Sequence, residues 1–160
     1  MKRSLFAIVI GFILILFASA LTVSQPAQFD FAGGGVTMTL PEGWVAREHI
    51  LLLLMPKAED LTIEAEVLGT QDLSEAIQLS EFELKSVFPQ DTSFVVEDIV
   101  VNKMPVKKID KVSGSEQLFF YLLKTPEDKI ISFKCKSEKS TMLRHKGEIT
   151  KLLQSIKPKQ

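Results

Sequence analysis

Residues 61–89 read LTIEAEVLGTQDLSEAIQLSEFELKSVFP, and the spacing of the apolar residues changes within this stretch. In its first seven residues apolar and polar side chains alternate, which is typical of a β-strand and predicts that Ile63, Ala65 and Val67 face a core. In its second part the apolar residues recur every three to four positions until Pro89, which predicts an amphipathic helix. A strand followed so closely by a helix indicates a mixed fold.

The start of this helix has a signal of its own. Asp72 and Glu75 form a D-x-x-E pattern that resembles a capping box, in which the aspartate caps early amides and the glutamate reaches back. Phe82 lies opposite the apolar stripe of the helix. We interpret Phe82 as a single exposed aromatic residue, with a contact to a partner protein as the alternative.

Strand patterns continue on both sides of this stretch. The predicted strands are residues 36–40, 50–55, 61–67, 94–101, 106–112, 117–123 and 130–135. A closing helix is indicated by Ile149, Leu152, Leu153 and Ile156, and Pro158 marks its end. Strands, a helix, more strands and a final helix are the order expected for an α+β fold, in which helices pack on an antiparallel β-sheet.

Several of these segments resemble the PsbP/DcrB-like family. The similar segments are VTMTLPEGW, the helix end KSVFP, VVNKMPVKKIDKV, QLFFYLLK and ITKLLQSIK, which together span residues 36–157. Members of the family often have a glycine in the hairpin where this chain has Asn102 and Lys103. The resemblance implies an α/β/α sandwich around an antiparallel sheet and a non-enzymatic accessory or binding role.

The N-terminus has the pattern of a secretory signal. Lys2 and Arg3 precede an apolar run at residues 5–17, and an A-x-A site ends at Ala20. We therefore predict a signal peptide at residues 1–20 and an exported protein, periplasmic or secreted. The alternative is an uncleaved inner-membrane anchor at residues 5–23 with the domain outside the cytoplasm, because that run approaches the length that spans a bilayer.

The remaining length of the 160-residue chain fits one ordinary domain. Residues 21–35 read as a tether that ends in three glycines, so we predict a single domain at residues 36–157. With 46% hydrophobic and 24% charged residues, the composition argues against a disordered or fibrous protein.

The sequence contains few residues that typically carry chemistry. It has two histidines, His49 and His145, and one cysteine, Cys135. It has no H-x-x-x-H or C-x-x-C metal-ligand pair, no G-x-S-x-G nucleophile motif and no glycine-rich phosphate loop. We interpret Cys135 as a small buried residue and His145 as a hydrogen-bonded histidine at the edge of the core. We expect no enzymatic activity, no cofactor and no metal.

Charge is the most informative feature for function. Residues 30–99 contain 14 acidic and 3 basic residues, whereas residues 100–160 contain 6 acidic and 14 basic residues. If neighbouring strands bring the lysines together, they form a basic patch that could bind an acidic protein or an anionic membrane surface. The alternative is that the two halves neutralise each other across one sheet. The candidate partner-binding residues are Lys107, Lys108, Lys111, Lys134 and Lys136.

These features favour an exported, non-enzymatic accessory domain of the cell envelope that binds another envelope protein, with no nucleic-acid partner. One alternative is a carrier of an apolar small molecule, based on the apolar segments 50–55 and 118–123. Another alternative is a periplasmic immunity protein that blocks a secreted toxin.

Overall fold

A computed structural model describes residues 26–48, 51–91 and 93–159. The predicted signal peptide at residues 1–20, the first five residues of the predicted tether and His49 lie outside the described residues.

The described chain forms ten strands and two helices, with a short 3-10 turn at Ala32–Gly34. The strands are β1 (Gln28–Phe31), β2 (Val36–Thr39), β3 (Trp44–Glu48), β4 (Leu52–Pro56), β5 (Ile63–Val67), β6 (Val95–Val101), β7 (Met104–Ser113), β8 (Glu116–Lys124), β9 (Ile130–Glu138) and β10 (Lys157–Pro158). The helices are α1 (Leu73–Val87) and α2 (Lys139–Ser155).

Seven strands form the main sheet in the order β3-β4-β5-β9-β8-β7-β6, and every neighbouring pair is antiparallel. A second sheet has the order β1-β2-β10. The two helices pack on opposite faces of the main sheet. The predicted α+β sandwich of an antiparallel sheet and two helices is therefore confirmed.

Strand β8 separates two hydrophobic cores because its side chains alternate between the two faces. Phe119 and Tyr121 join the core beneath α2, which also contains Phe133 and Leu152. Phe120 belongs instead to the smaller core beneath α1. Both faces are apolar along β8, which explains why the sequence of this strand is an almost unbroken apolar run.

The domain begins earlier in the chain than the sequence predicts. Within the predicted tether, residues 28–31 form β1 and pair with β2. Phe31 is buried in the core, and Gly34 lies so close to Phe31 and Ile131 that a Cβ at this position would be 2.6 Å from Ile131 Cδ1. This close packing attaches the segment to the domain, whereas the sequence suggests only a flexible run of glycines.

Two further details differ from the sequence prediction. Ile63 and Ala65 are fully buried as predicted, but Val67 at the end of β5 is 38% exposed. Helix α2 begins at Lys139, ten residues before the first apolar residue that indicates it, and continues through Gly147. The described helices include none that is long and apolar enough to cross a membrane.

The N-terminus of α1 is capped, although not by the full reciprocal box. Asp72 Oδ1 accepts a hydrogen bond from the Ser74 amide at 2.8 Å, as predicted. Glu75 Oε2 accepts one from the Thr70 hydroxyl at 2.5 Å, and the Thr70 oxygen accepts one from the Asp72 amide at 3.1 Å. Thr70 therefore takes the place that the sequence assigns to Glu75.

Candidate functional site

The five lysines predicted to bind a partner lie on two strands and two faces. Lys107 and Lys111 of β7 and Lys134 and Lys136 of β9 are on the face of the sheet that carries α1, and Lys108 is on the face that carries α2. The structure therefore does not bring all five lysines together on one surface.

Each of these lysines is already paired with a carboxylate of the protein. Lys107 pairs with Asp98, and Lys108 Nζ is 2.8 Å from Glu97 Oε2. Further ion pairs join Lys111 to Asp91, Lys134 to both Glu64 and Glu83, and Lys136 to Glu116. All of these carboxylates except Glu116 come from the acidic half of the sequence. The structure thus favours the alternative in which the two halves neutralise each other.

Lys111 is the least accessible of the five. Its side chain is only 6% exposed, and Nζ donates to the Ser93 carbonyl at 2.5 Å and contacts Asp91 Oδ1 at 2.5 Å. The Lys111 ammonium also lowers the pKa of Asp91. Lys111 therefore holds the segment before β6 against β7 and is poorly placed to contact another protein.

A groove lies between α2 and the neighbouring strands β7 and β8, with a volume of about 260 Å³. Its floor contains Phe119 and Tyr121, and Ile149 and Leu153 of α2 form part of its wall. It exists because α2 packs over the centre of the sheet and leaves part of β7 uncovered. The residues along its rim are Lys108, Asp110, Gln117, Lys139, Leu143 and Lys146.

The α2 side of this groove is both apolar and basic. Lys139, Leu143 and Lys146 follow one another at a spacing of four and three residues, so they share one side of the helix. Leu143 is 70% exposed. Among the described residues neither Lys139 nor Lys146 has a carboxylate within ion-pair distance.

Tyr121 is the polar group of the groove floor. It is 6% exposed, and its burial raises the pKa of the phenol. Within the described part of the chain, its hydroxyl has no hydrogen-bond partner, yet it is not closed off from solvent. A buried tyrosine normally uses its hydroxyl, so an accessible unpaired hydroxyl here is available to a bound molecule.

Strand β6 forms one edge of the main sheet. It pairs with β7 along all seven of its residues, and no described strand pairs with its other side. Val95 is 69% exposed and Val100 is 71% exposed. An edge strand of this length presents unpaired backbone donors and acceptors, and this one also presents apolar side chains.

His145 lies at the centre of a polar cluster that joins α2 to the strands. Its Nδ1 is 2.8 Å from Glu148 Oε2, its Nε2 is 3.1 Å from Asp60 Oδ1, and its ring lies edge-on to Trp44. The hydrogen bond to Glu148 raises the pKa of His145 with the help of Asp60, against the opposing effect of desolvation. Arg144 also contacts Asp60, and Trp44 Nε1 donates to Glu148. Both carboxylates are already engaged, so the cluster acts to attach α2 to the β-strands.

Cys135 is buried as the sequence predicts. Its thiol lies 3.9 Å from the Met142 sulfur, and desolvation raises its pKa to about 12. A thiol in this environment is not a nucleophile at neutral pH. The described residues contain no group of three or more His, Cys, Asp or Glu side chains placed to hold a metal ion.

Sequence reasoning found the lysines but missed the groove and the open edge of β6. The groove is formed by residues of β8 and α2 that are distant in the sequence, and only the apolar run 118–123 indicates part of it. Val95 and Val100 are the residues that could have indicated the open edge of β6. A sequence pattern cannot distinguish such exposed valines from valines of the core.

No known family model matches the sequence, and no curated protein matches it either. Solved structures do match the fold. A cyanobacterial PsbP (CyanoP) from Synechocystis superimposes with a TM-score of 0.60 at 10% identity, covering 87% of this chain and 95% of CyanoP. The Ran-binding protein Mog1p of Saccharomyces cerevisiae superimposes with a TM-score of 0.53 at 12% identity, covering 84% of this chain and 96% of Mog1p. The predicted PsbP-like fold is thereby confirmed.

Proposed function

We propose that this protein is an exported, non-enzymatic accessory domain of the cell envelope, and that it binds another envelope protein by accepting an extended segment at the β6 edge. The observation that carries the proposal is the open side of β6. Within the described part of the chain, no strand pairs with this side of the seven-residue strand, which also presents two valines that are about 70% exposed.

Strand addition fits the chemistry of this edge. An extended segment would supply backbone donors and acceptors to β6, and its apolar side chains would cover Val95 on one face and Val100 on the other. Glu97 and Asp98 lie between the two valines and are paired with lysines of β7. These ion pairs leave little net charge at the centre of the strand, so an apolar segment would meet no uncompensated charge there.

The other edge of the sheet is less suitable. Strand β3 has five residues, and its exposed end is occupied by the ion pair between Arg47 and Glu59 at 2.5 Å. The likeness to Mog1p supports a binding role at the level of the fold, since that protein is a Ran-binding protein. Crosslinking in the host's envelope would identify the partner.

The proposal is tested by site-specific photo-crosslinking in the host's own envelope. A photoreactive residue at Val95 or Val100 should give the same crosslinked protein, and one at Leu79 or Phe82 on the exposed side of α1 should not. The double variant Val95→Lys/Val100→Lys should abolish the crosslink from a reporter at Ile99, because charged side chains block strand addition.

The matched control is Leu79→Lys/Phe82→Lys, which adds the same charge at another exposed apolar pair. If this control abolishes the crosslink and the β6 variant does not, the binding surface is α1 and the proposal is wrong. A crosslinked partner that is a secreted toxin would identify the immunity role within the same proposal.

Export is tested separately by the mass of the protein recovered from the envelope fraction. A mature N-terminus at Leu21 is the expected result of cleavage after Ala20. An uncleaved chain in the membrane fraction would instead support the anchored alternative, and a chain retained in the cytoplasm would contradict export.

A further inference from the structure

We infer that the groove between α2 and β7–β8 is a binding site for a small anionic amphiphile, namely a monocarboxylate with an unbranched apolar body of medium length. This inference is independent of strand addition at β6, because it rests on different residues and a different class of ligand.

The first observation is the Tyr121 hydroxyl. The side chain is more than nine-tenths buried, its hydroxyl has no hydrogen-bond partner within the described residues, and the residue lines the groove. Because the hydroxyl reaches solvent, it can hydrogen-bond to water while the groove is empty, and a ligand that covers it has to replace that bond. A ligand oxygen would supply this hydrogen bond.

The second observation is the sign of the charge around the groove. Lys139 and Lys146 rise from α2 on either side of Leu143 and have no carboxylate partner among the described residues. On the opposite rim, Lys108 is paired with Glu97, and Asp110 accepts a hydrogen bond from Gln117 at 2.8 Å. The α2 rim therefore has uncompensated positive charge, which favours an anionic head group.

The third observation is the apolar interior and its size. Phe119, Ile149, Leu153 and Met142 supply the floor and walls. The volume of about 260 Å³ is just below the roughly 300–1,000 Å³ of pockets that enclose drug-sized ligands. A single medium-length chain fits this space better than a two-chain lipid does.

The inference is tested by isothermal titration calorimetry of the full-length protein with decanoate, below its micellar concentration. Decanol has the same chain without the charge, and decyltrimethylammonium carries the opposite charge. We expect saturable binding of decanoate at one site, weaker binding of decanol and no binding of the cation.

Variants then identify the site. Lys139→Gln/Lys146→Gln should weaken decanoate binding about fivefold and leave decanol binding unchanged, since only the rim charges are removed. The matched control is Lys57→Gln/Lys157→Gln, which removes two lysines that are also without ion pairs among the described residues but lie outside the groove. This control should bind decanoate as the original protein does.

Tyr121→Phe keeps the aromatic packing and removes only the hydroxyl. It should weaken decanoate binding about threefold to tenfold, which corresponds to one hydrogen bond. The inference is overturned if decanoate does not bind at millimolar concentration, if the cation binds as well as decanoate, or if the control lysine pair has the same effect as the groove pair.

Discussion

Asn102 and Lys103 form the two-residue turn between β6 and β7, and both have positive φ angles, 48° and 70°. Asparagine tolerates this backbone conformation, and here its Nδ2 also donates to the carbonyls of Gln154 at 3.0 Å and Ile156 at 2.7 Å. The Lys103 side chain makes no hydrogen bond to any residue that the structure describes. Hairpins of this geometry strongly prefer Asn-Gly, so the lysine places a side chain where glycine is favoured.

We therefore expect Lys103→Gly to raise the free energy of unfolding by about 0.5 kcal/mol, because it removes the strain of a left-handed lysine. Asn102→Gly should have the opposite effect, with a loss of about 1–2 kcal/mol, since two hydrogen bonds to the end of α2 disappear. Urea unfolding of the two variants checks both signs. Destabilisation by Lys103→Gly would show that its side chain makes a stabilising contact.

Cys135 gives a second prediction for a single residue. Because its thiol is buried with a pKa of about 12, it should not react with a water-soluble disulfide reagent at pH 8 in the native protein. In urea it should react at the rate of a free thiol. Rapid labelling of the native protein would mean that β9 opens locally.

At the scale of elements, α2 is held in place by polar contacts at its middle as well as by its apolar face. His145 and Glu148 project from consecutive turns of α2 and meet Asp60, in the segment between β4 and β5, and Trp44 at the start of β3. The cluster thus joins α2 to the part of the sheet that lies farthest from β6.

This cluster should make stability depend on pH with a definite sign. The pKa of His145 is raised above its ordinary 6.5, so its contribution is complete below pH 6.5 and is lost as the pH rises through the raised pKa. The pKa values of Glu148 and Asp60 are lowered, mainly by His145, so their contribution is lost in acid as the pH falls through those lowered pKa values. The positive charges of Arg144 beside Asp60 and of Lys151 beside Glu148 also help to lower the pKa values of these carboxylates.

We expect the free energy of unfolding to fall between pH 6 and pH 9 in the original protein, and this fall to be much smaller in His145→Gln. Urea unfolding at several pH values measures both. Asp60→Asn should reduce the fall as well, and combining it with His145→Gln should add little, because the two residues act through one interaction. An equal pH dependence in all four proteins would show that the cluster does not contribute.

Strands and helices in which one spacing of apolar residues dominates were predicted correctly from the sequence. The alternation of β5 and the helical spacing of α1 each reflect a single core-facing side, and the structure shows both. The first half of α2 is uncertain from the sequence because Gly147 interrupts the pattern. Lys139, Leu143 and Lys146 face the open groove and the solvent, so they add nothing to the apolar stripe. The residues that form the α2 side of the groove are therefore the ones that weaken the helical pattern in the sequence.

At the scale of the whole molecule, the acidic first half and the basic second half of the sequence largely pair with each other within the protein. Lys134 illustrates the point, since it contacts Glu64 on the neighbouring strand and Glu83 on α1. The lysines were identified from sequence, but their partners were not, because register and helix placement determine which carboxylate meets which lysine. Lys139 and Lys146 of α2, which have no ion-pair partner within the described residues, could be recognised only after these pairs were known.

The position of the N-terminal domain boundary predicts how truncation affects stability. A chain that starts at Val36, as the sequence suggests, lacks β1 and the buried Phe31. We expect it to be less stable by at least about 2 kcal/mol than a chain that starts at Pro26, because burying a phenylalanine contributes about 1.5–3 kcal/mol. Urea unfolding of the two truncated chains provides the measurement. Equal stability would show that β1 is dispensable.

The three-stranded sheet has a consequence for how the chain could be rearranged. Strands β1 and β10 flank β2 and run parallel to each other, and Lys159 Nζ lies 2.6 Å from Asp30 Oδ2. The first and last strands of the described chain are thus only two strand spacings apart, about 10 Å. A linker of about six to eight residues would join them, with new termini opened at the exposed β7–β8 turn around Gly114. The protein should therefore tolerate circular permutation at that turn.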